Sequence, residues 1–226
     1  DVLGSRGLGD VYKRQVLLCG IMLFSITGCG KEQQNNNQSS SDNKTEEKQE
    51  NTNVKIKNDS LEDTVKEYYL TMYDKKDTKT AYQYYDYTGL YTWQMMRLGS
   101  YSVNADKLTN FISNYEQNKA DSDLQDRIDT LLKETYTDSF YEELNQEIAH
   151  NQSNIVGNKK FEVEVEIKDQ EEIVPGVYHV GLTMTYRFEN GNGAGGDKRH
   201  VYLIENDGKY YIVNSAPRYD DEFHLS

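Results

Sequence analysis

Residues 32–53 contain no Val, Ile, Leu, Phe, Tyr or Trp. That gap decides where a fold can form. Ordering a chain costs roughly 1–2 kcal/mol per residue in backbone entropy, and burial of apolar area must offset it. The segment EQQNNNQSSSDNKTEEKQENTN has nothing to bury, so it reads as a polar spacer. The chain divides around it into a short apolar leader and one candidate domain over residues 54–226. The spacer also explains part of the low mean hydropathy of −0.88.

The candidate domain carries 19 Lys/Arg against 31 Asp/Glu, a net −12 of the whole chain's −13. A surface of that sign repels phosphate backbones and anionic lipid, so nucleic acid is not an expected partner, whereas a basic protein remains one. Cys19 and Cys29 are the only cysteines and both precede the spacer. The domain therefore has neither a disulfide nor a thiol ligand, and core burial must hold it together.

Residues 16–26, VLLCGIMLFSI, form an uncharged run of eleven. A helix of that length is too short to span about 30 Å of hydrocarbon, but it suits the apolar region of a signal peptide. Thr27-Gly28-Cys29 follow at once, and with Ile26 they resemble the bacterial lipobox, in which an aliphatic residue and two small residues precede an invariant Cys. The resemblance implies that residues 16–28 are a signal peptide, that Cys29 is diacylglycerated and becomes the first mature residue, and that Cys19 leaves with the signal. Residues 29–53 then tether the domain to the extracytoplasmic face of the cell membrane. Residues 5–15, SRGLGDVYKRQ, resemble the translation of a transposase-type sequencing adapter, and residues 1–15 are set aside as an artefact.

From residue 54 the patterns run from helical to extended. Ser60 and Asp63 form a capping pair before Leu61, Val65, Tyr68, Tyr69 and Met72 at helical spacing. Asp77 and Thr78 start a second helix with Ala81, Tyr84 and Tyr85 on one face. Asn104 opens a third, Ser122 with Gln125 a fourth, and Ser139 with Glu142 a fifth. Then Phe161, Val163, Val165 and Ile167 alternate with polar residues, and residues 178–188 alternate likewise with a bend expected at Gly181. A third strand is expected near residues 200–205. Asn206-Asp207-Gly208 is a hairpin signal, with a fourth strand following. Helices followed by a meander predict an α+β fold, with N-terminal helices packed on a curved antiparallel sheet of three to five strands.

LEDTVKEYYLTMYDKKDTKTAYQYY, TDSFYEELNQ and DGKYYIVNS resemble the opening helices, the later short helix and the closing strand of extracytoplasmic domains in the nuclear transport factor two-like superfamily. The resemblance spans most of residues 60–215. It implies a cone: a curved sheet wrapped on helices around an apolar pocket. Residues 93–133 are longer and more helical than that pattern.

The Tyr-rich segment supplies the candidate ligand-binding residues: Tyr84, Tyr85, Tyr91 and Trp93, whose rings suit an apolar or sugar-like ligand at a cone mouth. The competing expectation is that these rings are core. Asp86 with Tyr85 or Tyr91 is the pair that an isomerase- or dehydratase-like cone enzyme would use. None of His150, His179, His200 and His224 forms an i, i+4 pair, so no zinc site is expected, and His179 reads as solvated on the polar face of its strand. The Asp121–Asp126 stretch lacks the Gly and Glu of a calcium loop. Residues 191–196 are Gly-rich but precede no helix, and read as a flexible hairpin loop. No cofactor is expected. The expected function is non-catalytic binding of an envelope protein or small apolar ligand, with the cone enzyme as the alternative.

Overall fold

The computed structural model describes residues 56–98 and 103–217. The expected α+β order is observed. Helices α1 (Leu61–Tyr73), α2 (Thr78–Ala81), α3 (Tyr87–Met95), α4 (Ala105–Ala120), α5 (Ser122–Thr135) and α6 (Asp138–Val156) precede strands β1 (Phe161–Val174), β2 (Val177–Phe188), β3 (Gly193–Asn206) and β4 (Lys209–Pro217). The strands form an open antiparallel meander in the order β1-β2-β3-β4. Among the described residues no helix is long and apolar enough to cross a membrane.

Local chemistry sets the helix starts. Ser60 Oγ accepts from Asp63 N at 3.1 Å, and Asp77 Oδ1 accepts from Thr80 N at 3.0 Å. Asn104 caps α4 through Lys107 N at 2.9 Å. Two expected caps are displaced. Helix α5 is capped by Asp121, which accepts from Leu124 N, so Ser122 lies inside the first turn. Helix α6 is capped by Thr137, which accepts from Phe140 N, so Ser139 is also internal. In both places an earlier residue with extended backbone reaches the free N–H groups first.

The second helix also breaks sooner than its periodicity implies. After α2 a 3-10 turn, Tyr82–Tyr84, leads into extended Tyr85, which bridges in parallel to Ile212 of β4. Asp86 N donates to Ile212 O at 3.0 Å, and Asp86 then caps α3. Helix α3 sits close on β4 because Gly89 has no side chain: a Cβ there would lie 2.4 Å from Val213 Cγ1.

The hairpin signal at Asn206-Asp207-Gly208 holds, with both Asp207 and Gly208 in the left-handed region that a two-residue turn requires. The Gly-rich stretch departs from expectation. Gly193 to Gly196 extend β3 rather than forming a loop, and Arg187 pairs with Gly193. Opposite the expected bend at Gly181, β1 carries a bulge at Lys168. One extra residue shifts the phase of the strand, so Glu162, Glu164 and Glu166 before it share a face with Asp169 and Glu171 after it.

The sheet has two unlike faces. Its inner face, with Val163, Val180, Leu182, Met184, Val201, Leu203 and Ile212, packs against Val65, Tyr68, Tyr69 and Met72 of α1 and Leu144 and Ile148 of α6. Its outer face is covered at one end, where Val177, Tyr202, Ile204 and Val213 meet Trp93 of α3 and Leu108 and Phe111 of α4. Toward the other end that face carries Glu162, Glu164, Glu166 and Arg187, all exposed.

Candidate functional site

The four expected binding residues do not converge. Tyr84 and Tyr85 are buried in the inner core, with Tyr85 Oη 3.0 Å from Tyr68 Oη. The Tyr85 ring packs edge-on against Tyr68, and Tyr82 extends the stack to Tyr136, Phe140 and Tyr141. Trp93, 2% exposed, belongs to the other core, where its ring centroid lies 4.7 Å from Tyr202 and 5.4 Å from Phe111. Tyr91 is half-buried. These aromatic side chains therefore serve mainly as core, as their helical spacing allows. Burial raises the phenols of Tyr68, Tyr82 and Tyr87 well above their ordinary value.

Asp86 is half-buried and both of its oxygens are engaged. Oδ1 accepts from Gly89 N at 2.7 Å and Oδ2 from Tyr115 Oη at 2.9 Å. Burial first, and then the Asp86 charge, hold the Tyr115 phenol far above its ordinary range. The carboxylate binds α3 to α4 and does not face the rings of the inner core.

A buried guanidinium on the inner face was not legible in the sequence. Arg199 is 5% exposed, donates to Asp197 through Nε and Nη2, and donates to Tyr73 Oη through Nη1 at 3.2 Å. It also lies over the rings of Tyr69 and Tyr73, at 5.6 and 5.2 Å. Burial alone disfavours its charge; Tyr73, Asp197 and Tyr69 together outweigh that and hold it firmly protonated.

The outer face holds a cluster of titratable side chains around His179. His179 Nε2 and His200 Nδ1 are 2.6 Å apart, with the two rings nearly parallel. Tyr202 packs against His179 at 5.2 Å. On the β1 side, Asp169 Oδ1 and Glu171 Oε1 lie 3.6 and 3.8 Å from His179 Nδ1. His179 is wholly buried, contrary to its expected solvation, because the polar face of β2 is not open at this end. A sequence signal was lacking. The diagonal His179–His200 contact depends on an irregularity in the β2–β3 register between Met184 and Tyr186. So short an N···N contact needs an N–H on one ring and a lone pair on the other. The pair therefore holds at most one positive charge.

Gly181 completes this arrangement. Its N–H donates to Asp169 Oδ1 at 3.1 Å, and a Cβ there would lie 2.5 Å from the same oxygen. Only glycine admits the carboxylate beside His179. Among the described residues no three His, Cys, Asp or Glu side chains are placed to hold a metal ion.

Neither a family model, a curated protein nor a solved structure matches this chain.

Proposed function

We propose that this chain is a lipid-anchored protein of the extracytoplasmic face of a bacterial cell membrane, whose α+β domain binds an envelope protein or small apolar ligand without catalysis. The observation that carries this reading is Ile26-Thr27-Gly28-Cys29, whose Ile26 ends the eleven uncharged residues 16–26. The Cys29 thiol attacks the glyceryl carbon of a membrane phospholipid, losing its proton as the S–C bond forms and the C–O bond to the phosphate head group breaks, and Gly28 gives the peptidase the small residue it needs before the cut. Each buried CH₂ of the acyl chains contributes about 0.8 kcal/mol, so two or three chains anchor firmly. The domain belongs, on the same reading, to the nuclear transport factor two-like cones; the helices-then-meander order supports it.

Two further features favour binding over chemistry. The inner side of the sheet is packed with tyrosine rings, and the carboxylate that a cone enzyme would use, Asp86, is occupied as a helix cap and as the acceptor from Tyr115. The acidic surface favours a partner of positive charge.

Mass spectrometry of the chain expressed with its leader in a bacterium tests the anchor. Cys29 should appear as an acylated N-terminus in the membrane fraction, and Cys29→Ala should abolish the acylation. An unmodified Cys29 thiol on a chain retained in the cytoplasm would refute the reading.

A further inference from the structure

The two edges of the sheet are treated differently. The β4 edge is closed: Asp86 N bonds Ile212 O, Tyr85 bridges Ile212, and Tyr210 N donates to Asn58 O. The β1 edge receives one side-chain bond, from Val163 N to Asp74 Oδ1 at 3.3 Å. That bond also fixes the geometry. Since Val163 turns its N–H away from β2, strand alternation turns the N–H and C=O of Val165 and Ile167 away as well. Among the described residues, no backbone group of another element hydrogen-bonds to them.

The side chains along this edge specify a complement. On the outer face stand Glu162, Glu164 and Glu166, with Asp169 and Glu171 beyond the bulge, all exposed. Arg187 lies beside Glu164 and Lys168 beside Glu166. On the inner face Val165 and Ile167 are half-buried at the margin of the core. A strand added here would face carboxylates with every second side chain and aliphatic groups with the others.

We propose that the β1 edge is a docking strand for an extended segment of an envelope protein in which basic and aliphatic residues alternate. Backbone pairing with Val165 and Ile167 supplies the hydrogen bonds, and Asp74 blocks extension past Val163. The carboxylate row selects the partner: it repels a second acidic edge and attracts Lys or Arg directly opposite. This assignment deepens the binding reading by naming the partner's chemistry. It does not depend on the anchor, since Cys29→Ala should leave the edge interaction unchanged.

The test uses the full acylated chain in detergent micelles and synthetic peptides of about eight residues, an ordinary strand length. The probe alternates Lys and Val. One control alternates Glu and Val; the other is the Lys–Val peptide N-methylated at the amides that would face β1. The Lys–Val peptide should bind and slow amide exchange at Val165 and Ile167 by about tenfold or more. Val165→Pro removes an outward N–H without removing a bond to β2, and should weaken binding by about tenfold. Should that variant fold poorly, Glu164→Lys with Glu166→Lys, both exposed, should weaken binding while leaving the circular dichroism spectrum unchanged. Equal binding of the N-methylated peptide would overturn the proposal, as would protection confined to other segments. Absence of binding at low salt would overturn it too. So would sedimentation showing that the chain self-associates through this edge, which would make the occupant a second copy. In none of these cases is the acylation of Cys29 affected.

Discussion

Asp86→Ala separates a structural carboxylate from a catalytic one. The substitution removes the Oδ1 acceptor from Gly89 N and the Oδ2 acceptor from Tyr115 Oη. Loss of an N-cap costs about 1 kcal/mol, and loss of a hydrogen bond to a charged acceptor costs about 1.5 kcal/mol at the low end that suits a half-buried group. The expected total is about 2–3 kcal/mol. For a domain of this size each kcal/mol shifts Tm by about 2–4 °C, so the drop should be roughly 5–10 °C. Asp86→Asn keeps an amide oxygen for the cap and an NH₂ that can donate to Tyr115, and should cost less than about 1 kcal/mol. Urea unfolding followed by circular dichroism measures both. A double-mutant cycle of Asp86→Ala with Tyr115→Phe should give a coupling of about 1 kcal/mol, because the two groups are in direct contact. Equal stability of Asp86→Ala and the parent would refute the capping account and return Asp86 to the candidates for chemistry, and strict additivity in the cycle would refute the Tyr115 contact.

Three other outcomes follow from the packing. Trp93→Ala should cost about 3–5 kcal/mol and Trp93→Phe much less, since the indole fills the space between Tyr202 and Phe111; a loss below about 1 kcal/mol in a denaturation curve would contradict its place in the outer core. Gly181→Ala should displace the Asp169 carboxylate, cost about 1 kcal/mol for the unpaired Gly181 N–H, and make a further Asp169→Ala nearly silent; full additivity of the two would refute the contact. Stability should fall as pH rises above about 10. Burial holds Tyr68, Tyr82 and Tyr87 far above their ordinary value and pushes Tyr186 up to about 12. The folded state thus keeps its phenolic protons where the unfolded chain releases them. Ultraviolet titration should show tyrosinate appearing together with unfolding, and independent ionisation of all tyrosines near pH 10 in a folded protein would contradict it.

Several local features are legible in the sequence. Ser60, Asp77 and Asn104 cap the helices they precede, because a cap needs only a short polar side chain and the N–H groups two or three residues on. The alternation at residues 161–167 and the Asn206-Asp207-Gly208 turn fixed strands and the last hairpin for the same reason. Where two polar residues competed, at Asp121 against Ser122 and Thr137 against Ser139, spacing alone did not choose.

The candidate site was much less legible. Tyr84, Tyr85 and Trp93 are neighbours in the chain, yet a break at Tyr85 and Asp86 sends them into two cores on opposite faces of the sheet. His179 and His200 are 21 residues apart and meet only because one register irregularity lies between them. Arg199 and Tyr73 come together across 126 residues.

The sequence by itself determined the order of elements and the acidity of the domain, and it carries the motif on which the proposed lipid attachment at Cys29 rests, since each depends on residues within a few positions of one another. Tertiary structure decided which polar face of β2 is covered, which sheet edge is closed and which carboxylates are occupied. Those outcomes depend on strand register and on how helices cross the sheet. A one-residue shift in register moves every side chain to the opposite face, so no single stretch of chain contains the answer.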